Sequence, residues 1–280
     1  MTRDEEHCLH RQNLPVRTFG WRVVAGLLAV WTFWSFAATA KIRAEDTENT
    51  GPNVNIERWA EGTYEYRTTK TNRTRGWEQW KLFTYRDGSR TMIMWHDVFA
   101  RNTQFTSVMR VDRDLKPLEA YVSYWTPNGF KGSGWFVVDG TKLKSTSIGP
   151  AGTVTQEFDA KGPFSISTHP LASDGWHYWF YDKAKGGDQL SRYFSIEASR
   201  DLSRPITAKF IEVPQALVGE ETITIPAGTF TATRYHSGNS DAWIATDDSI
   251  VIRSVIDGDD PREYVLVDYK TGASPLVGGH

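Results

Sequence analysis

The sequence predicts an all-β protein, an antiparallel meander that forms a curved sheet or an open barrel with one short helix or long loop inserted. Three observations support this fold class. Apolar and polar residues alternate with a period of two between residues 62 and 269. Turn residues interrupt the alternation at regular intervals, and no long helical pattern separates the strands. Strands joined by tight turns pair antiparallel, so hairpins are favoured over parallel strand–helix–strand units.

The individual strands follow from alternation bounded by turns. Residues 77–85 (WEQWKLFTY) alternate, and residues 86–89 contain Asp-Gly, which accepts the positive φ that a tight hairpin requires. The chain then returns through residues 90–96. The other predicted strands are residues 63–68, 103–111, 118–125, 134–138, 142–147, 152–158, 190–198, 207–213, 220–225, 230–236, 242–245, 249–256 and 262–269.

One segment breaks the regular spacing. Residues 163–188 are longer than a hairpin loop, and a short helix is predicted near residues 171–183. Its centre, DGWHYWFYD, places Trp176, Tyr178 and Trp179 among polar groups. These aromatics could cap a cavity and present His177 and Asp174 to an apolar molecule, or they could fill the open end of the curved sheet as core. Both interpretations remain open at this stage.

The N-terminal segment has the pattern of a targeting sequence. Arg17 and Arg22 precede an apolar run over residues 23–40, which ends in Ala-Thr-Ala. A basic flank, an apolar stretch and small residues indicate a signal peptide, and the length of the run also allows a membrane anchor. Residues 1–44 are therefore predicted to be one or the other. We expect a periplasmic or otherwise extracytoplasmic protein, with membrane association through residues 23–40 if the anchor is kept.

The remaining chain is predicted as one domain with a short approach to it. Residues 45–61 are polar, contain Gly and Pro, and indicate a flexible lead-in. Residues 62–280 then form a single β-rich domain. Lys and Arg number 32 against 34 Asp and Glu, so no positive field predicts a nucleic-acid partner. The one cysteine is Cys8, which excludes a disulfide framework, a cysteine-ligated zinc site and a thiol nucleophile in the domain.

The C-terminal third contains a sequence pattern that resembles a known family. EETITIPAGTF, residues 220–230, is followed by TATRY, then by Trp243 within AWIA, and then by a strand that ends at Arg253. This order resembles the bacterial DUF3108 family over residues 218–270. The resemblance implies an extracytoplasmic, curved β-meander, loosely like the open half-barrels of lipoprotein carriers. It implies no catalytic residues.

No motif predicts a metal or a cofactor. The domain contains His96, His169, His177, His236 and the terminal His280, without the paired spacing of a zinc site. The acidic pairs near residues 247–248 and 257–260 lack the alternation and final Glu of a calcium loop, and they fall at predicted hairpin turns.

The leading functional prediction is the binding of an apolar or amphipathic small molecule inside the curved meander. The candidate ligand-binding residues are Trp95, His169, Trp176, Tyr178, Trp179 and Trp243. The first alternative is a metal-independent acid–base enzyme of lyase, isomerase or hydrolase type on a hydrophobic substrate. Its catalytic candidates are His177 or His236 as the base and Asp174 as the partner. The second alternative is a cell-envelope structural or assembly protein that binds other proteins through an open sheet edge.

Overall fold

The computed structural model describes residues 55–197 and 199–273. This part of the chain contains fifteen strands in one sheet and one 3₁₀ helix, Ala172–Tyr178. The strands are β1 (Ile56–Thr68), β2 (Arg73–Tyr85), β3 (Arg90–Val98), β4 (Thr103–Val111), β5 (Pro117–Thr126), β6 (Gly129–Asp139), β7 (Lys142–Gly149), β8 (Gly152–Asp159), β9 (Ser165–Ser167), β10 (Asp188–Ile196), β11 (Ala208–Ile225), β12 (Gly228–Ser237), β13 (Ser240–Ala245), β14 (Ile250–Ile256) and β15 (Arg262–Ala273).

The sheet is built from two meanders joined by their outer strands. Its strand order is β8-β7-β6-β5-β4-β3-β2-β1-β15-β14-β13-β12-β11-β10-β9. Neighbours pair antiparallel except for β9 and β10, which are parallel. The join is the long ladder between β1 and β15. The predicted all-β class and the meander of hairpins are confirmed.

Several bounds differ from the sequence prediction. The two strands predicted over residues 207–213 and 220–225 are the single strand β11, and the strand β9 was not predicted. The strand β1 begins at Ile56, so residues 56–61 are not part of a flexible lead-in. Their polar composition hid the strand, which is held on both sides: Arg58 pairs with Ala273 on β15 and with Thr84 on β2. The strand β9 has only three residues, too few for a period of two to be visible.

The sheet curls until its two ends meet without pairing as strands. Within the described residues, β8 and β9 are the unpaired edges. Arg192 of β10 crosses this seam and donates to the backbone carbonyls of Lys161 at 2.7 Å and Asp159 at 3.0 Å. Phe158 of β8 packs edge-on against Phe194 of β10, with ring centroids 5.0 Å apart. The result is a barrel whose edge strands do not pair, so that side chains bridge the gap between them.

The 3₁₀ helix fills part of the barrel interior. Trp176 is 0% exposed, and its indole Nε1 donates to the carbonyl of Asp248 at 2.8 Å. Gly175 lies so close to the turn before β14 that a Cβ there would sit 1.8 Å from the carbonyl oxygen of Ser249. Only glycine fits this approach. Trp176 is therefore core, which is one of the two interpretations left open for the aromatic insert.

Residues 246–249 form the turn that the sequence predicted, and the turn carries a buried ion pair. The carboxylate of Asp248 is shielded from solvent and accepts hydrogen bonds from the guanidinium of Arg58, including one of 2.7 Å from Nη2. Arg90 Nε donates to the same carboxylate at 3.1 Å, and Thr84 Oγ1 at 3.2 Å. Because these partners of the carboxylate lie on strands β1 to β3, Asp248 ties the two meanders together.

A second buried carboxylate holds the insert in place. Glu78 of β2 is 0% exposed and lies inside the barrel, in phase with Trp80 and Leu82. It accepts hydrogen bonds from the Leu171 amide at 2.6 Å and the Ala172 amide at 2.8 Å. The Tyr66 hydroxyl is its third donor. Amides at the start of a helix lack partners within the helix, so the carboxylate completes the first turn.

Burial also changes the acidity of Glu78. Removal from water raises the pKa of this carboxyl to about 7, although the three hydrogen bonds act in the opposite direction. The group therefore gains or loses a proton near neutral pH while it holds the insert.

No helix among the described residues is long and apolar enough to cross a bilayer. The predicted leader, residues 1–44, lies outside the described residues, so its role stays a prediction.

The core position of Trp176 predicts a large effect on stability. Trp176→Ala should lower the free energy of unfolding by ~3–5 kcal/mol, because the cavity left behind collapses only partly. The matched control is Trp135→Ala, since Trp135 is 55% exposed on the outer face. That variant should lose less than ~1 kcal/mol. Urea unfolding of both variants measures the difference, and equal losses would contradict the core assignment.

The raised pKa of Glu78 predicts a specific dependence of stability on pH. Between its ordinary pKa of 4.5 and about 7, the folded protein keeps a proton that the unfolded chain has released. The proton on Glu78 therefore stabilises the folded protein fully below pH 4.5. This stabilisation falls by about 3 kcal/mol as the pH rises from 4.5 to about 7.

Glu78→Gln removes this titration, so the wild-type advantage over the variant should shrink by that amount between the two pH values. Urea unfolding across the window measures it, with the exposed Glu212→Gln as the control for loss of a carboxylate. A constant difference between wild type and Glu78→Gln would show that Glu78 does not titrate in this range.

Candidate functional site

A cavity of about 380 Å³ lies beside the turn that joins β3 to β4. Its wall combines aromatic rings, two imidazoles and several charged groups. The lining residues are Tyr66, Arg75, His96, Val98, Arg101, Thr103, Phe105, Tyr124, His169, Leu171, Asp174, Arg200 and Tyr264.

One cross-strand row builds the interior wall. Glu78 pairs with His96, His96 with Phe105, and Phe105 with Tyr124, on the consecutive strands β2 to β5. All four side chains are buried, because directly paired residues of neighbouring strands face the same side of a sheet. The Phe105 and Tyr124 rings stack with centroids 3.9 Å apart. The period of two therefore produces an aromatic wall that ends in an imidazole and a carboxylate.

Tyr66 links this cavity to the buried carboxylate behind it. Its ring lines the cavity and packs against Tyr264, with centroids 4.1 Å apart, while its hydroxyl donates to Glu78. Burial, together with the nearby Glu78 charge, raises the pKa of Tyr66 well above its usual value. The phenol therefore stays protonated and acts as a donor.

His96 lines the cavity and has two ring nitrogens without a hydrogen-bond partner in the described part of the chain. The residue is 7% exposed, and both ring nitrogens are shielded from solvent without a hydrogen-bond partner among the described residues. Burial lowers the pKa of His96 to about 3, and the nearby His169 and Arg101 act in the same direction. At neutral pH the ring is therefore uncharged and offers one donor and one acceptor.

His169 brings a second imidazole to the same cavity from the insert. Its ring hydrogen-bonds to the backbone of Ile196, whereas Nε2 is shielded and has no partner among residues 55–197 and 199–273. Burial lowers the pKa of this ring as well. The backbone of His169 has φ +80°, a conformation that costs a residue with a side chain roughly 1–3 kcal/mol. The structure thus holds a strained residue where its ring faces Phe105, with ring centroids 4.9 Å apart.

Arginine guanidinium groups complete the charged part of the lining. Arg75 Nη1 lies 2.6 Å from Asp260 Oδ2, so that charge is paired. Arg101 and Arg200 are exposed and form no salt bridge with any described carboxylate. The lining therefore combines neutral imidazoles with charged groups of both signs, since the Asp174 carboxylate also belongs to it.

The structure brings together three of the residues predicted from the sequence. His169 and Asp174 both line the cavity, and His177 Nε2 lies 3.0 Å from Asp174 Oδ1. His177 is buried behind the lining and packs on Tyr193, with centroids 4.4 Å apart. A carboxylate beside an imidazole can exchange a proton, so this pair has the elements of acid–base chemistry at the wall. The spacing of three residues along one helical turn explains the contact.

The other predicted residues lie elsewhere. Tyr178 and Trp179 line a separate recess of about 250 Å³, where Tyr178 stacks on Tyr235 at 4.2 Å. Trp95 is 39% exposed on the outer face of β3, because it alternates with the inward His96. The structure does not place these residues in the cavity with His169.

Trp243 and His236 belong to a third region. Trp243 lies between Arg234 and Arg253, each guanidinium 4.9 Å from the ring, and donates to Glu221 at 2.6 Å. His236 is exposed and hydrogen-bonds to Asp241 at 2.9 Å. Neither residue is part of the cavity lining, and His236 does not meet Asp174.

The sequence analysis missed the most informative groups. Glu78 could have been found because it alternates with Trp80 and Leu82 on the inward side of β2, where apolar residues are normal. His96 was visible in the same way, in phase with Met92 and Met94. No local signal marks Arg101 or Arg200, since both lie outside the strands.

In the described part of the chain, no group of three or more His, Cys, Asp or Glu side chains is arranged to hold a metal ion. The imidazoles of the cavity are instead separated by aromatic rings, with Phe105 between His96 and His169.

Comparison with known proteins gives limited similarity. No protein-family model matches the chain, and no curated protein matches it in sequence. A β-barrel-like protein of the domain of unknown function DUF1849 from Brucella abortus is 11% identical, with a TM-score of 0.45, and the match covers 78% of this chain and 99% of that chain. A DUF1089 family protein from Pseudomonas aeruginosa is 17% identical, with a TM-score of 0.37, and the match covers 63% and 87% respectively.

Both TM-scores are too low to support an argument about site or function. The open barrel described above rests on the strand pairing of this chain itself, and the DUF3108 resemblance stays a prediction.

Proposed function

We propose that this protein binds a small amphipathic molecule in the cavity between Tyr66, His96, Phe105 and His169. The observation that supports this most directly is the pair of shielded imidazoles with unused polar atoms in an aromatic cavity. Such a site offers apolar contact through the rings and hydrogen bonds through the neutral nitrogens, which is the composition typical of small-molecule pockets.

Energetics favour a binding role over a packing role for these imidazoles. A buried polar group without a partner costs about 1–3 kcal/mol, and His96 has two such atoms. A leucine or phenylalanine at this inward position would avoid that cost. The backbone strain at His169 adds to it. Groups that are held unpaired and strained are characteristic of sites that meet their partner in a ligand.

The size of the cavity limits the ligand. At about 380 Å³ it falls near the lower end of the ~300–1,000 Å³ common for ligand pockets. This space fits one compact molecule with an apolar body, not a long polymer. Arg101 and Arg200, both exposed, place the polar side of the cavity toward solvent.

We further propose that binding takes place outside the cytoplasm. Support for this location comes only from the sequence pattern of residues 1–44, with its basic flank and apolar run over residues 23–40.

Filling the cavity should abolish binding. Val98 lines the cavity, so Val98→Trp places an indole in the existing space and should weaken binding of the neutral fluorescent probe N-phenylnaphthylamine by more than about tenfold. Val108→Trp is the matched control, because Val108 pairs with Ile93 and Tyr121 on the outer face. Probe fluorescence measures affinity, and thermal unfolding verifies the fold. Unchanged affinity of a folded Val98→Trp, or no binding by the wild type, would contradict the proposal.

The strain at His169 predicts an unusual order of stability. His169→Gly should have a higher free energy of unfolding than His169→Ala by about 1 kcal/mol, because glycine adopts φ +80° freely and alanine does not. Both variants remove the ring and should bind N-phenylnaphthylamine more weakly than the wild type. The reverse order of stability, in urea unfolding, would show that the backbone at His169 is not strained.

A further inference from the structure

We infer that the ligand carries an anionic group, which Arg101 and Arg200 hold beside the cavity while the apolar body lies against the aromatic wall. This inference rests on the proposed function and adds the chemical class of the ligand. The ligand class is an organic anion with a compact apolar body.

The two guanidinium groups differ from most arginines of the domain in having no carboxylate partner. Arg75, which lines the same cavity, is neutralised by Asp260 at 2.6 Å, and Arg58 and Arg90 are bound to Asp248. In contrast, Arg101 and Arg200 form no salt bridge with a described residue, although they lie in the lining. Their positive charge is therefore available to a ligand.

Both charges act on the interior of the cavity. Arg101 contributes to lowering the pKa of His96 and His169, and both Arg101 and Arg200 oppose the rise in the pKa of Tyr124 caused by burial. Both guanidinium groups line the cavity, where the charge of Arg101 reaches all three rings and that of Arg200 reaches Tyr124. An anion at the same position would be attracted by both.

The segment that carries Arg200 is fixed by a buried lysine. Lys131 of β6 is 1% exposed, and its ammonium donates to the backbone carbonyls of Asp201 and Arg204. Asp201 is the neighbour of Arg200, so the loop is held at the cavity while the Arg200 side chain stays exposed. A positioned cation loses less conformational entropy on binding than one on a mobile loop.

Among the described residues, the lining holds one carboxylate, that of Asp174, which lies 3.0 Å from the His177 ring nitrogen. With Arg75 paired to Asp260, the two guanidinium groups of Arg101 and Arg200 outnumber this carboxylate, so the charge beside the cavity is positive on balance. A guanidinium presents a planar set of donors that matches carboxylate, sulfonate or phosphate oxygens.

A matched pair of probes tests the charge of the ligand separately from its apolar body. Anilinonaphthalenesulfonate carries the same ring system as N-phenylnaphthylamine with an added sulfonate. The wild-type protein should bind the anionic probe about tenfold more tightly than the neutral one at low ionic strength, as a charge-assisted hydrogen bond allows. The preference should decrease as salt is added, because the guanidinium groups are exposed.

Substitution of the arginines should remove the preference for the anionic probe. Arg101→Gln and Arg200→Gln should each reduce the affinity for anilinonaphthalenesulfonate several-fold, and the double variant should bind both probes about equally. Affinity for N-phenylnaphthylamine should fall by a smaller factor than affinity for anilinonaphthalenesulfonate in all three. Arg110→Gln is the control for loss of one positive charge, because Arg110 is exposed and paired with Glu119 at 2.7 Å.

The outcomes separate this inference from the proposed function. Equal binding of both probes by the wild type, or an anionic preference that survives the double substitution, overturns the anion site and leaves the cavity as a binding site. Loss of both probes in the arginine variants, with the fold intact, also overturns it, since the arginines would then shape the cavity as a whole. No binding of either probe by the wild type overturns both proposals. Near-ultraviolet circular dichroism of each variant verifies native packing.

Discussion

The burial of one carboxylate against three donors determines where the insert lies. Glu78 accepts hydrogen bonds from Tyr66 on β1 and from the amides of Leu171 and Ala172 at the start of the helix. If any one of these donors moved away, a buried carboxyl oxygen would lose a hydrogen-bond partner, at a cost of about 1–3 kcal/mol. The helix is therefore confined to one position, and His169 and Asp174 on either side of its start are brought to the cavity.

The same alternation that builds the barrel also places its polar groups. A strand with a period of two commits every second side chain to the interior, so a polar residue in that phase must find a partner inside. Glu78 and Lys131 find theirs in the protein, in backbone amides and carbonyls of the loops. His96 occupies the same phase without one among the described residues. This contrast separates Glu78 and Lys131, which assemble the fold, from His96, which lines the cavity.

The sequence was sufficient to predict the fold because its signals are local. Alternation and turn chemistry identified the hairpin at residues 86–89, and the break in the alternation at residues 163–188 identified the insert with its short helix. The His177–Asp174 contact is also local, with a spacing of three residues. The row of Glu78, His96, Phe105 and Tyr124 is not local, since it depends on the register of four strands. A slip of one residue in any ladder would turn its member outward, and no short segment of sequence encodes that register.

The ladder between β1 and β15 has a consequence for how the protein is made. It joins strands from opposite ends of the domain, and the stacked pair of Tyr66 and Tyr264 spans this junction at the wall of the cavity. Each meander can form from contacts between consecutive strands. Pairing of β1 with β15 instead brings together residues from opposite ends of the domain, and contacts of such large sequence separation form slowly. The cavity is thus absent from a nascent or half-folded chain. A molecule that occupies the finished cavity would act as a pharmacological chaperone, drawing the equilibrium toward the completed state.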